Sequence, residues 1–410
     1  MRKSVLALRT NSYPNSATAT RRFESFCRYL HEAGFSVTVL ALAPMESEMQ
    51  GRLHLNPECR FEVFHVRPIR RGNARRKAEA WLARYVFPRM EFNPTDNRVV
   101  SLAAHQLLRE RKFHCILTTY PPMGSLALAD QLSRRYGVPW IADLRDIPDE
   151  IDTGRVHWRT RRAVNALEAA CASASHLVTV SEPLAERLRR DYRLARPVTT
   201  IYNGFEVDDI VHVEGKQPSD SIFRITYCGS FGYGRSLSLL QRSLRLLKIR
   251  GCSLDGVEIH IYGSRRSPSD WSDDICPDVP IKFHGRVPHE TALRAESASA
   301  ILLSLASPGA QGILTSKIFE YAMVGRPVLS IPADSGALDE FIRNAEIGLA
   351  SSDPEEIATL IARHICEWRR TGALPVVVPN RDYLSAFSRR AQAARLVELV
   401  QVLLGRPQAP

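Results

Sequence analysis

Apolar and polar positions alternate in blocks along the chain: short strand-like runs, then stretches with helical spacing. Ser4–Arg9 (SVLALR) reads as a strand. A polar, turn-rich loop from Asn11 follows it. Phe23, Phe26, Cys27 and Leu30 then recur on one face of a helix expected over about Thr20–Ala33. Gly34 stops that helix, and Val37–Leu42 is the next strand. Further strands are expected at Phe61–Val66, Phe113–Pro122 and Val138–Glu150, at HLVTV before Ser181, and at VTTIY before the Asn203-Gly204 turn. Helices are expected at Val99–Arg111, in MGSLALADQLSRRYG up to Gly137, at Trp158–Ala174 and after the Ser181 cap. Strands alternating with helices describe a doubly wound α/β domain over residues 1–204, with ligands at the C-terminal ends of its strands.

Residues 205–221 are polar and read as an interdomain linker. A second series then begins. Strands are expected at Phe223–Cys228, Val257–Ser264, Ile281–Pro288, Ser299–Leu305 and Val328–Ile331, with a helix from Ser236 and another through SKIFEYAMV. This is a second doubly wound domain, residues 222–375. Residues 376–410 are read as a C-terminal helix, YLSAFSRRAQAARLVELVQVLL ending near Leu404, that packs back toward the N-terminal domain.

Composition narrows the class. The 410 residues are 44% hydrophobic and 24% charged, as in ordinary globular proteins of more than one domain. No apolar run is long enough to span a bilayer, and the N-terminal run is too short for a signal peptide, so a cytoplasmic protein is expected. Eight scattered cysteines with no CxxC, and twelve histidines with no HExxH, argue against metal or disulfide frameworks. The net charge of +11 is uneven: residues 1–210 hold 32 Lys+Arg against 23 Asp+Glu, and residues 211–410 hold 23 against 21. The first half thus favours an anionic partner. Arg67–Met90 carries eight Lys/Arg beside Trp81, Leu82, Tyr85, Val86 and Phe87. It fits a basic helix for peripheral contact with an anionic membrane, at the inner face of the cell membrane, and equally a helix docked on the sheet with a solvated basic face.

Three stretches carry candidate chemistry. In Gly312–Pro332, Thr315 and Ser316 cap a helix whose first turn holds Lys317, an arrangement suited to phosphate. Glu320, a turn further on, can accept from sugar hydroxyls; the plain alternative is a surface Lys–Glu pair. In GSFGYGRS, glycines let the backbone approach a phosphate and Arg235 adds charge beside a helix start. Gly229, Ser230, Gly263, Gly285 and Arg286 stand at strand ends that face the same ligand. In WIADLRD, Asp143, Arg145 and Asp146 follow a strand directly. They can orient a hydroxyl, take its proton or bind an anion, or they are an ion-pair cluster that ends the strand.

The order of these blocks resembles the family 4 retaining glycosyltransferases of the GT-B fold. YPNSATATRRFESFCRYLHEAGFSVTVL resembles that family's opening loop and helix, and WIADLRD a strand and charged turn of its bacterial polysaccharide members. VTVSEPLAERL and IYNGFE resemble the last N-domain strand and the hinge. TYCGSFGYGRS, FHGRVP and SKIFEYAMVGRPVL resemble donor-domain blocks. The resemblance implies a hexosyl-type glycosyltransferase. It would move a sugar from a nucleotide diphosphate sugar, with retention and without a metal, to a lipid-linked or polysaccharide acceptor. Arg235 and Lys317 would neutralise the leaving diphosphate, Glu320 would bind ribose, and the amides of Ile313 and Leu314 would touch the donor. Asn15, Ser16 and Arg145 would meet the acceptor, and Asp146 or Asp143 would orient its hydroxyl. The family's frequent Glu-x7-Glu pair is incomplete, since Gly312 stands where the first Glu is expected.

Two other readings are kept. One is a GT-B sugar-nucleotide epimerase or glycoside phosphorylase. The other is a basic nucleic-acid binder, for which no RRM, helix-turn-helix or zinc signature is present, so no nucleic acid is expected.

Overall fold

The computed structural model describes residues 2–13, 18–43, 54–55, 61–67, 94–148, 158–206, 222–229, 231, 234–263, 279–306 and 314–405. The expected basic helix lies outside them beyond Arg67, as does the linker beyond Glu206. The chain forms two compact units. One holds the chain up to Tyr202 and again from Arg389; the other is Asn203–Ser388.

In the first unit the chain runs β1 (Ser4–Ser12), α1 (Thr18–Glu32), β2 (Ser36–Leu42), β3 (His54–Leu55), β4 (Glu62–Val66), α2 (Pro94–Glu110), β5 (Cys115–Tyr120), α3 (Met123–Tyr136), β6 (Trp140–Leu144), α4 (Trp158–Cys171), β7 (His176–Thr179), α5 (Glu182–Asp191) and β8 (Val198–Thr200). The sheet order is β3-β4-β2-β1-β5-β6-β7-β8, parallel throughout except for β3 against β4. β5 and β6 are buried along their whole length; they read as apolar runs at Cys115–Leu117 and Trp140–Ala142, and the polar Thr118, Thr119 and Asp143 beyond those runs are buried too. After β4 the chain crosses to the other side of β1 to lay down β5. The C-terminal ends of β1, β5 and β6 therefore flank a topological switch point.

The second unit runs β9 (Phe223–Cys228), α6 (Ser238–Ile249), β10 (Val257–Tyr262), β11 (Ile281–Gly285), α7 (His289–Ser297), β12 (Ile301–Leu305), α8 (Ser316–Val324), β13 (Val328–Ile331), α9 (Ala337–Asn344), β14 (Gly348–Ala350), α10 (Pro354–Thr371) and α11 (Arg381–Ser385). Its sheet, β11-β10-β9-β12-β13-β14, is wholly parallel and switches between β9 and β12. Both units are thus the doubly wound α/β domains that the alternation of blocks predicts. Punctuation is local: Gly325 and Gly372 close α8 and α10 at φ 73° and 70°, and Asp353 caps α10 by accepting from the Glu355 amide at 2.9 Å.

The tail departs from its pattern. A single helix was expected from Tyr383 to Leu404, but α11 ends at Ser385 and α12 begins at Arg389 (Arg389–Gly405). Phe387 in the break packs against Phe319, Phe341 and Tyr383, with centroids 5.2–5.5 Å apart. That aromatic cluster outweighs helix continuity. It holds residues 376–388 in the second unit, where Val377 also donates to the Gly325 carbonyl and Asn380 to that of Ala345. The boundary is therefore Tyr202/Asn203 on the way in and Ser388/Arg389 on the way out, rather than 204 and 376. Beyond the break, Ala393, Leu396 and Val400 of α12 enter the first unit's core beside Phe23, Phe26 and Leu30 of α1. Leu396→Ala is expected to cost the first unit about 2–5 kcal/mol, read as a lower urea midpoint. An unchanged midpoint would show that α12 is not part of that core.

Candidate functional site

In the second unit, three parallel strands end in glycines that touch. The Gly229 amide donates to the Tyr262 carbonyl at 2.7 Å, and the Gly263 amide to the Gly285 carbonyl at 2.6 Å. Gly263 has φ +99°, and a Cβ there would stand 2.8 Å from the Gly229 carbonyl oxygen. Glycine is required for this close approach of backbones at the C-terminal ends of β9, β10 and β11.

Beside this floor, α8 presents its N-terminus. Thr315 occupies the N-cap position, but its hydroxyl makes no capping bond, contrary to the cap expected from the sequence. The positive end of the helix is thus not satisfied by the Thr315 side chain. Leu314 is buried; Thr315 is exposed and Ser316 half-buried. Lys317 turns back from the first turn so that Nζ donates to the carbonyl of Cys228, the last residue of β9. Burial pushes the Lys317 ammonium below the usual lysine range, while Cys228, Glu296 and Glu320 oppose that shift.

Arg235, half-buried, donates Nε to the Leu305 carbonyl at 3.2 Å. Tyr227 joins the two cations. Its ring centre is 5.9 Å from Lys317 Nζ, and its hydroxyl is hydrogen-bonded to Arg235; burial raises that hydroxyl to about 12. Glu320 lies 3.9 Å from His289 Nε2 of α7. The structure thus gathers Gly229, Gly263, Gly285, Arg235, Leu314, Thr315, Ser316, Lys317 and Glu320 at one end of one sheet. Arg286 follows Gly285 and is exposed. Ser230, Gly312 and Ile313 lie outside the described residues. Chemically, this is a desolvated double cation with a helix N-terminus and a nearby carboxylate: a place for a phosphate-bearing ligand with hydroxyls.

In the first unit, the strand ends carry a buried polar network. Arg22 of α1 pairs with Asp143, Nη2 to Oδ1 at 2.8 Å, with side chains only 3% and 1% exposed. Arg22 also donates to the Tyr202 carbonyl at 2.8 Å. Thr119 donates to Asp143 Oδ2 at 3.1 Å and accepts from Arg145 Nε at 3.0 Å. Arg145 donates further to the Pro121 carbonyl at 3.0 Å. Asp143 is therefore consumed by its partners: the ion pair read as the alternative to a functional role is present here. Asp146, two residues past the strand, is half-buried, and among the described residues no hydrogen bond reaches its carboxylate. Burial, with help from Asp143, raises its pKa, and Arg145 pulls the other way. Arg9, at the end of β1, is buried against Phe23 and bonded to Asn11 and Thr20; burial and the nearby Arg145 lower it to about 10. Asn15 and Ser16 lie outside the described residues.

Sequence reasoning missed Tyr227, Glu296 and His289 in one unit and Arg9 and Arg22 in the other. Arg22 carried one signal, a charge one turn before Phe26 on an otherwise apolar helix face. Tyr227 sits in register with Phe223 and Ile225 and reads as core. Arg22→Met would leave Asp143 buried and unpaired; a loss of about 3–5 kcal/mol in denaturant unfolding is expected. A loss below about 1 kcal/mol would mean that the pair is not buried in solution.

Two family profiles match the chain: a glycosyl transferase 4-like domain over residues 18–204 and a glycosyl transferase-like domain over residues 239–373. No curated protein matches by sequence. Among solved structures, sucrose-phosphate synthase from Thermosynechococcus elongatus is 16% identical, covering 98% of this chain and 99% of its own, with a TM-score of 0.65. Anabaena HepE in complex with UDP and glucose is 15% identical, covering 98% and 100%, with a TM-score of 0.62. A glycosyltransferase from Rickettsia africae is 12% identical, covering 99% and 100%, with a TM-score of 0.61. At these identities the likeness is one of fold.

Proposed function

The chain belongs to the glycosyltransferases of the GT-B fold with a family 4-like N-terminal domain, and on that premise we propose that it moves a sugar, with retention, from a nucleotide diphosphate sugar to a hydroxyl on an anionic acceptor. The observation that carries this reading is the pairing of Arg235 and Lys317 on Tyr227 beside the N-terminus of α8. As the bond to the leaving diphosphate breaks, negative charge grows on its oxygens. Two fixed cations and a helix dipole in a desolvated place stabilise that charge without reorganising. They take the part a divalent ion has elsewhere, so no metal cofactor is needed. Glu320 accepts from the ribose hydroxyls, and the amides around Ile313 and Leu314 meet the donor's sugar or phosphate. That a HepE structure contains UDP and glucose favours a uridine nucleotide as the first donor to test.

Asp146 is the carboxylate that orients the acceptor hydroxyl and receives its proton; Asp143 holds Arg22 and, through Thr119, Arg145. Arg9 and Arg145 make that end of the first unit cationic, which suits a phosphorylated or lipid-linked glycan acceptor. Among the described residues no helix is long and apolar enough to cross a membrane. Contact with a bilayer would fall to the basic stretch Arg67–Met90, in a cytoplasmic protein working at the inner face of the cell membrane.

A thermal-shift screen against UDP, GDP, ADP and TDP identifies the base, since a ligand of the native state alone raises the melting point. Lys317→Ala and Arg235→Ala are each expected to lower kcat by about a hundredfold or more in nucleotide-release assays. Unchanged rates in both would place the diphosphate elsewhere. Asp146→Asn is expected to lower kcat by about a hundredfold or more. Because its pKa is raised, the wild-type rate should fall on acidification at a pH above the usual aspartate range, a limb that the Asn variant lacks. An acid limb retained in that variant would assign the proton to another group.

A further inference from the structure

Glu296, the second-last residue of α7, is the one carboxylate buried in the second unit among the described residues. It is 1% exposed, and its Oε2 has no hydrogen-bond partner among the described residues. A buried carboxylate without partners is expensive; a buried carboxylic acid is much less so. Its surroundings come from three elements. From β9, the Cys228 thiol is within hydrogen-bonding reach. From α8, Lys317 and Glu320 act on it, and the Tyr321 phenol is close, donating no charge and accepting from the Cys228 amide at 3.1 Å. From its own helix, His289 faces Glu320. Arg326, past α8, is held away by the Ser297, Leu374 and Pro375 carbonyls.

Cys228 links this acid to the proposed donor site. The residue that contacts Glu296 through its side chain accepts from Lys317 through its carbonyl. If Glu296 were ionised, two carboxylates, Glu296 and Glu320, would compete with an incoming anion for one ammonium. With Glu296 uncharged, that ammonium is left available.

We propose that Glu296 is a positioning residue of the donor site, acting through Lys317 and Cys228: as a neutral carboxylic acid it keeps the Lys317 charge free for the diphosphate, and its ionisation sets the alkaline limit of donor binding. Burial and the nearby Glu320 raise this carboxyl to about 8, against 4.5 for an ordinary glutamate, so it holds its proton at neutral pH. Bound diphosphate and ionised Glu296 exclude one another electrostatically. Donor affinity is therefore full below about pH 8 and declines above it.

The inference rests on the nucleotide reading, and the test separates the two. UDP is titrated calorimetrically into wild-type protein and Glu296→Gln at pH values on both sides of about 8. In wild type, Kd is expected to weaken by up to about tenfold per pH unit above that value, while in the Gln variant it stays level. A level wild-type profile, or the same weakening in the variant through Lys317 itself, would overturn the proposal. If UDP, GDP, ADP and TDP bind at no pH, the nucleotide reading fails instead, and melting temperatures decide the state of Glu296. A carboxyl raised from 4.5 to about 8 binds more protons folded than unfolded between those values. Wild type should then lose stability relative to Glu296→Gln as pH rises through that window. A difference in melting temperature that does not change with pH would refute the neutral acid. Should the variant fail to fold, a level wild-type UDP profile alone still overturns the proposal.

Discussion

The ammonium of Lys317 is held against the carbonyl of Cys228, and the rest of the second unit is arranged around that contact. A partly buried ammonium needs lone pairs, and the Cys228 carbonyl at the end of β9 supplies one. Using it requires glycine immediately afterward, since Gly229 lies against Tyr227, Tyr262 and Gly263 with no room for a side chain. It also requires α8 to start at this level of the sheet. Lysine, glycines and helix start meet at this one contact.

The two units deal differently with charge at the C-terminal ends of their strands. In the first, Asp143 receives Arg22 and Thr119, and its charge is spent on holding α1 to the sheet. In the second, Arg235 donates to the Leu305 carbonyl, and Lys317 donates to the Cys228 carbonyl beside the Tyr227 ring. Paired charge stabilises a fold, whereas charge held by dipoles stays available to a ligand. The contrast separates an ion-paired network from cations set on carbonyls, although both carry the same residue types in similar places.

The blocks were legible because parallel strands covered on both faces are mostly apolar, as Cys115–Leu117 of β5, Trp140–Ala142 of β6 and Ile301–Leu303 of β12 are. Glycines at helix ends were equally plain, because only a left-handed conformation stops α8 and α10 where they stop. The tail was misread for a related reason. Tyr383 to Leu404 has unbroken helical periodicity, and nothing local reveals that Phe387 belongs to a cluster with Phe319 and Phe341. Asp143 and Asp146 look alike in WIADLRD, yet one is consumed by an arginine 121 residues away and the other is not.

By itself, then, the sequence determined the two doubly wound units and the family, because those depend on local spacing and on residue types that few other backbones tolerate. Only the tertiary structure decided which charges are neutralised. It brought Tyr227 between two cations, Arg22 onto Asp143 and Glu296 beside Cys228, and it returned α12 to the first unit's core. The reason is physical: a charge's value depends on its distance from water and from its counter-ion, and both distances are set by residues far away in the chain.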